Sequence, residues 1–286
     1  MTRNPDVYAI LTTLRARGVI DYNAKIATKM SGTTDGLVYT LTVNEEPKYV
    51  LKIDNHQSIS FVEQLHQAYI KSPVLPKLIY TDPAKTFIVY SYITGTTHNN
   101  RGSKVNWLSL LVKDLLNHYE INHQLKIWGR LELPRESWRE FNERSLEGAR
   151  NNVGSLLPIE DYYKVKPLIE NISKVDDKYL LHGDTGVHNF IFHEFGLVGV
   201  IDPSPMVGPV IYDFTYAFCS SPDDLNLETL FAAFELFNHK SIERLRLIEE
   251  VTFQLYCRIG ICAKVHPHDM DDYLKAWDNW RAHLLA

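Results

Sequence analysis

Apolar positions change their period along this chain, and the changes divide it. Val7, Ile10, Leu11 and Leu14 recur at helical spacing behind Asn4-Pro5, and Gly18 is placed to end that helix. Short strand-like runs follow at Lys25–Met30, Leu37–Val43 and Tyr49–Ile53. Their joins, Ser31-Gly32-Thr33-Thr34-Asp35-Gly36 and Asn44-Glu45-Glu46-Pro47, are rich in turn residues. Phe61, Val62, Leu65, Ala68 and Tyr69 then mark one face of a helix expected over about 58–70, which Pro73 and Pro76 bring to a stop. Strand patterns return at Lys77–Tyr80 and Phe87–Ile93 around Asp82-Pro83-Ala84.

Thr94-Gly95-Thr96-Thr97 marks a change of character, beyond which helical spacing dominates. Leu108, Leu111, Leu115 and Tyr119 predict a helix over 105–128, and the polar stretch 129–157, interrupted by Pro134, reads as a helix-bearing insertion. A strand hairpin is expected over about 179–202, and helices over 226–237, 241–264 and 268–284, the last with Tyr273, Trp277, Trp280 and Leu284 in a stripe suited to core packing. The pattern predicts an α+β chain in two parts, a sheet-bearing 1–93 and a mainly helical 94–286.

Composition narrows the class without naming a reaction. An apolar share of 45% and a charged share of 23% are ordinary for a globular protein. A formal net charge of -5 argues against a nucleic-acid partner. No run is long and apolar enough to span a bilayer, and the first residues lack the apolar core of a signal peptide, so a cytoplasmic location is expected. Cys219, Cys257 and Cys262 are too few and wrongly spaced for a disulfide framework.

The chemistry concentrates in His182-Gly183-Asp184-Thr185-Gly186-Val187-His188-Asn189, directly after apolar Tyr179-Leu180-Leu181. A second apolar run, Leu197-Val198-Gly199-Val200-Ile201, delivers Asp202. Asp-x4-Asn followed by Asp is what phosphoryl transfer from a metal-bound nucleotide requires. One carboxylate, Asp184, accepts the proton of the attacking hydroxyl. An amide oxygen and a second carboxylate, Asn189 and Asp202, are hard donors for magnesium. His182, His188 and His193 fit no familiar zinc spacing.

This ordered set, continued by Gly208-Pro209-Val210-Ile211-Tyr212-Asp213-Phe214, resembles the active-site region of the aminoglycoside phosphotransferase family. Ile201-Asp202-Pro203 is similar to its streptomycin-kinase and fructosamine-kinase branches, and choline kinases are relatives. The resemblance runs motif by motif over about 23–218. It implies a two-lobed protein-kinase-like fold: a small antiparallel-sheet lobe with one helix binding nucleotide, and a larger, mainly helical lobe carrying catalysis and the acceptor. It implies ATP as co-substrate, with GTP not distinguished, and Mg2+ as cofactor.

The resemblance also carries residues. Lys52, the one cation in Val50-Leu51-Lys52-Ile53, corresponds to the phosphate-binding lysine, with Glu63 on the next helix as its partner. Read without the downstream motif, Lys52 better suits a half-buried edge strand whose lysine reaches outward. Ser31, Gly32, Thr33 and Thr34 would cover the phosphates, although they depart from the GxGxxG of protein kinases. Ser91, Tyr92 and Ile93 fall where adenine lies against the backbone. Asp213 and His182 resemble braces of the catalytic loop rather than participants.

The expected activity is transfer of the terminal phosphate of ATP to a hydroxyl of a small molecule. Acids outnumber bases toward the C-terminus (Asp223, Asp224, Glu228, Glu249, Glu250, Asp269, Asp271 and Asp272), which suits an aminoglycoside or another amine, and equally a solvated helix face. The sequence leaves antibiotic inactivation and a metabolic kinase both open. The alternative from another class is a catalytically silent member that binds a nucleotide or partner; every key residue is present.

Overall fold

Five antiparallel strands in the order β1-β2-β3-β5-β4 build the N-terminal sheet of this computed structural model, which describes residues 6–30, 36–97, 99–239, 242–265 and 267–284. The strands are β1 (Lys25–Met30), β2 (Leu37–Val43), β3 (Glu46–Ile53), β4 (Leu78–Thr81) and β5 (Phe87–Ser91). Asn44 and Glu45 both take positive φ, 52° and 71°, which matches the twist of the β2–β3 hairpin they close. The strand β3 begins at Glu46 and runs through Pro47, earlier than the apolar pattern predicts.

Strand alternation gives this sheet two apolar faces. Leu41, Leu51 and Val89 on one face pack with Leu11 and Leu14 of α1 (Val7–Ala16). Ile88 and Tyr90 on the other pack with Ile59 and Val62 of α2 (His56–Ala68). Each such leucine or isoleucine, fully buried, contributes about 1.5–3 kcal/mol. The cap of α1 is Asp6, whose Oδ1 accepts from Tyr8 N at 3.0 Å and Ala9 N at 3.2 Å; the start expected at Asn4-Pro5 lies outside the described residues. These elements form one unit (Met1–Ile70 with Leu75–Gly95), and Lys71–Val74 with Thr96–Ala286 form the other.

The second unit is mainly helical. Its helices are α3 (Lys104–Asp114), α4 (Trp138–Val153), α5 (Ile159–Val165), α6 (Leu168–Ile172), α7 (Ile211–Phe218), α8 (Leu227–Phe234), α9 (Arg244–Val265) and α10 (Met270–Trp280). The helix expected over 105–128 is much shorter. It ends at Asp114, and Leu115 turns to φ -129° before a 3-10 turn at Leu116–His118. That departure lets the Tyr119 hydroxyl accept from His182 N at 3.0 Å and donate to Asp213 Oδ2 at 2.8 Å, which a continued helix would prevent.

The stretch 129–157 does carry a helix, α4, capped by Ser137, whose Oγ accepts from Glu140 N at 3.1 Å. The strands β6 (Gly129–Arg130), β7 (Tyr179–Leu181) and β10 (Met206–Gly208) form a small sheet in the order β6-β10-β7, while β8 (Phe190–His193) and β9 (Gly196–Val200) form a hairpin. The core helix of the unit is α9, buried on most sides from Leu247 to Cys262. Among the described residues no helix is long and apolar enough to cross a membrane.

Candidate active site

Sequence dictates a sharp exit from β7. Gly183 sits at φ +77°, and a Cβ there would collide with the Ser204 carbonyl and the Met206 side chain, so glycine is required where the chain turns into Asp184. A 3-10 turn at Val187–Asn189 then feeds β8. Antiparallel pairing sets Phe190 opposite Val200, and Ile201 N donates to Asn189 O at 2.9 Å. Asn189 and Asp202 therefore occupy the same end of the hairpin. Asp202 has φ +53°, a left-handed conformation that an aspartate tolerates better than most residues.

Asn189 is buried and directed at Asp184. Its Nδ2 donates to the Asp184 carboxylate Oδ2 at 2.9 Å and to the Asp184 carbonyl at 3.0 Å. Both amide hydrogens are thereby occupied, and Oδ1 is the atom left to offer a cation. With the Asp202 carboxylate, that makes a pair of hard oxygen donors of the kind magnesium accepts alongside phosphate oxygens and water. The donor chemistry fits. Among the described residues no group of three or more His, Cys, Asp or Glu side chains is arranged to hold a metal ion.

The loop is braced from α7 and from Tyr119, just beyond the 3-10 turn that follows α3. Asp213, fully buried, accepts from Gly183 N at 3.1 Å and from the Tyr119 hydroxyl. Thr185 Oγ1 donates to the Asp213 carbonyl at 2.7 Å, and Val187 N donates to Ser220 Oγ at 3.0 Å. His182 Nδ1 accepts from Asp184 N at 3.3 Å. Burial holds the His182 imidazole down to about 4, so it braces as the neutral ring.

The charge of Asp184 is set by opposing forces. Burial pushes its carboxyl up, but the bond to His188 and the nearby His188 and His182 rings outweigh it and hold the group near about 2. His188 Nε2 lies 3.4 Å from Asp184 Oδ2. Burial pushes the Asp213 carboxyl up as well, and there it prevails, raising the group to about 7 against its bonds from Tyr119 and Gly183. Arg130 of β6 bonds to the Ser204 hydroxyl just past Asp202 and lies in the field of Tyr212, Tyr216 and Asp184. Tyr119, Arg130 and Ser220 were not singled out as part of this site by sequence, because they lie outside the motif and packing brings them in; Thr185 and His188 lie within it but were given no role there.

In the N-terminal unit, Lys52 pairs in register with Ile88, on the sheet face that α2 covers. The ion pair of Glu63 is made with Lys85 Nζ, at 2.5 Å, a partner the sequence does not suggest. Ser91 N donates to Lys77 O and Tyr92 N to Lys48 O, both at 2.9 Å, while Ile93 N makes no hydrogen bond among the described residues. Ser31, Gly32, Thr33 and Thr34 lie outside the described residues.

A cavity of about 800 Å³ opens within the C-terminal unit beside His188. Asp223, Asp224, Asp269 and Asp272 line it, with Arg101, Arg258 and Lys275. Its size suits a drug-sized or sugar-sized ligand.

A model of the phosphotransferase enzyme family matches residues 27–247. No curated protein sequence matches the chain. Among solved structures, a thermostable mutant of aminoglycoside phosphotransferase APH(4)-Ia in ternary complex with AMP-PNP and hygromycin B is 13% identical, covers 98% of each chain and gives a TM-score of 0.60. Choline kinase from Cryptosporidium parvum Iowa II is 11% identical over 97% of this chain and 95% of its own, with a TM-score of 0.59. A choline/ethanolamine kinase family protein from Mesorhizobium loti is 14% identical over 98% and 95%, with a TM-score of 0.59. At these identities the likeness shows the fold, which is protein-kinase-like: a five-stranded antiparallel sheet with its helix, then a largely helical part.

Proposed function

The chain belongs to the phosphotransferase enzyme family, and from that premise we propose that it transfers the terminal phosphate of ATP to a hydroxyl of a small, amine-bearing acceptor. The observation that carries this reading is the bonding of Asn189 to Asp184 beside Asp202. Asp184 is held ionised, as a base must be, and is partly open to solvent, with 26% of its side chain exposed.

In the proposed reaction Asp184 Oδ accepts a hydrogen bond from the acceptor hydroxyl, orients it, and takes its proton as the new O–P bond forms and the bond to ADP breaks. Asn189 Oδ1 and Asp202 would hold magnesium, which would supply positive charge against the charge developing on the transferred phosphate. Lys52 holds nucleotide phosphates, Glu63 lies on the covering helix, and the covering loop includes Ser31, Gly32, Thr33 and Thr34. Ser91, Tyr92 and Ile93 border adenine, with the Ile93 N–H as the donor. The acceptor occupies the aspartate-lined cavity, whose carboxylates favour an ammonium group.

The test is Asp184→Ala assayed for ADP release with a panel of hydroxyl acceptors. Turnover is expected to fall by roughly 10²–10⁴-fold while Mg·ATP binding is kept. Turnover at the wild-type level would overturn the assignment.

A further inference from the structure

Arg258, midway along α9, lines the cavity beside His188 yet is only 5% exposed. Its Nε donates to the Tyr273 hydroxyl at 3.1 Å and its Nη2 to the Ser220 carbonyl at 3.1 Å. Neither partner is an anion, and among the described residues no carboxylate pairs with this guanidinium. The other cations at the cavity are neutralised. Arg101 lies 3.6 Å from Asp223, and Lys275 lies 2.9 Å from Asp272.

A buried guanidinium without a counter-charge is expensive to maintain. Its two hydrogen bonds use part of a donor set of five, and a planar fork of donors is suited to a planar anion. The acids of the cavity show the complementary excess. Asp223 and Asp272 have their cations, Asp269 lies 3.7 Å from His268, and Asp224 forms no ion pair among the described residues. Arg258 thus remains in the cavity without a counter-charge, and Asp224 and Asp269 remain without a lysine or arginine partner among the described residues.

We propose that the ligand of this cavity is a zwitterionic hydroxy compound, its carboxylate on Arg258 and its ammonium toward Asp224. A carboxylate suits the site better than a phosphate, because one negative charge matches the one unpaired guanidinium, whereas a dianion would exceed it. The inference rests on the phosphotransferase reading for the role of the ligand as acceptor, and on the cavity alone for its charge pattern.

The experiment compares paired probes of which only the second carries a carboxylate, using the full chain: D-glucosamine against D-muramic acid, 1-amino-1-deoxyfructose against N-(1-deoxyfructosyl)glycine, and 3-amino-1-propanol against L-homoserine, the last pair differing by the carboxylate alone. Affinity is read by calorimetry and phosphorylation by ADP release. In at least one pair the carboxylate member is expected to bind roughly 10- to 100-fold more tightly. Arg258→Gln is expected to bring that ratio close to one, and Arg258→Lys to keep part of it.

Pairs that bind alike in the wild-type protein, fail to bind, or favour the carboxylate-free member overturn the inference, and that comparison needs no variant to fold. Discrimination that survives in folded Arg258→Gln overturns the role of Arg258. Selective binding of carboxylates with no ADP formed supports the charge pattern while removing the phosphotransferase reading. ADP formed without regard to the carboxylate does the reverse.

Discussion

The Asn189 side chain gives both its amide hydrogens to Asp184, one to the carboxylate at 2.9 Å and one to the backbone carbonyl at 3.0 Å. The bond does two things at once. It fixes the rotamer of the proposed base, and it directs Asn189 Oδ1 away from Asp184. Asn189→Ala removes both, so the proposed base and the proposed metal ligand fail together. Activity is expected to fall by roughly 10- to 100-fold or more, with the magnesium dependence moved to higher concentration. ADP release measured across a magnesium titration checks this, and an unchanged midpoint would detach Asn189 from the metal.

Lys104, at the start of α3, is fully buried and donates to the carbonyls of Phe218 at 3.0 Å and Ser221 at 2.8 Å, closing the C-terminal end of α7. Burial lowers its ammonium to about 8, against the pull of Asp223, Cys219 and Asp224. The neutral amine still has two hydrogens, enough for both carbonyls. An unfolded lysine releases its proton near ~10.4. Between these values the unfolded chain binds more protons than the folded one, so this group makes stability rise with pH. Urea unfolding of wild type and Lys104→Met at pH 7.5 and 9.5 should show the wild-type advantage widening at the higher pH. A constant difference would place the lysine's folded pKa near its ordinary value.

Gly260 lets α9 approach α4 closely. A Cβ there would lie 2.6 Å from Ala149 Cα and 2.8 Å from the Ala149 carbonyl, and backbone cannot move aside as a side chain can. Gly260→Ala is expected to destabilise the protein by about 1–3 kcal/mol. The urea midpoint should fall with the slope of the transition unchanged.

How far these features were legible depended on their range. The succession of three strands, a helix and two strands along the chain and the hairpin under Asn189 and Asp202 follow from local apolar period and turn chemistry, and the structure has both. The family was legible as a resemblance carried by the motifs from His182 to Asp213, and that resemblance implied the protein-kinase-like fold; such motifs are read locally. The helix over 105–128 was misread because its apolar period continues through Leu115 and Tyr119, while the backbone turns away to place a hydroxyl beside residues 182 and 213. No periodicity encodes that contact. Arg258 and Lys104 were equally hidden: a cation in a helix reads as surface until packing buries it.

The ion pair between Glu63 and Lys85 makes the N-terminal unit the place where family resemblance and observed contact are most easily separated. Lys85 lies in the turn between β4 and β5, and its pair is partly buried, with 28% and 17% of the two side chains exposed. A pair of that kind contributes up to about 1 kcal/mol. Lys52 lies on the sheet face covered by α2 and is the residue proposed to meet phosphate. Lys52→Ala is therefore expected to weaken ATP binding by about 10-fold or more, as loss of a charge-assisted bond does. Lys85→Ala should lower stability slightly and leave ATP affinity within about twofold. Calorimetric titration of both variants with Mg·ATP decides the matter. If Lys85→Ala proves the damaging change, the phosphate-binding role passes from β3 to the β4–β5 turn.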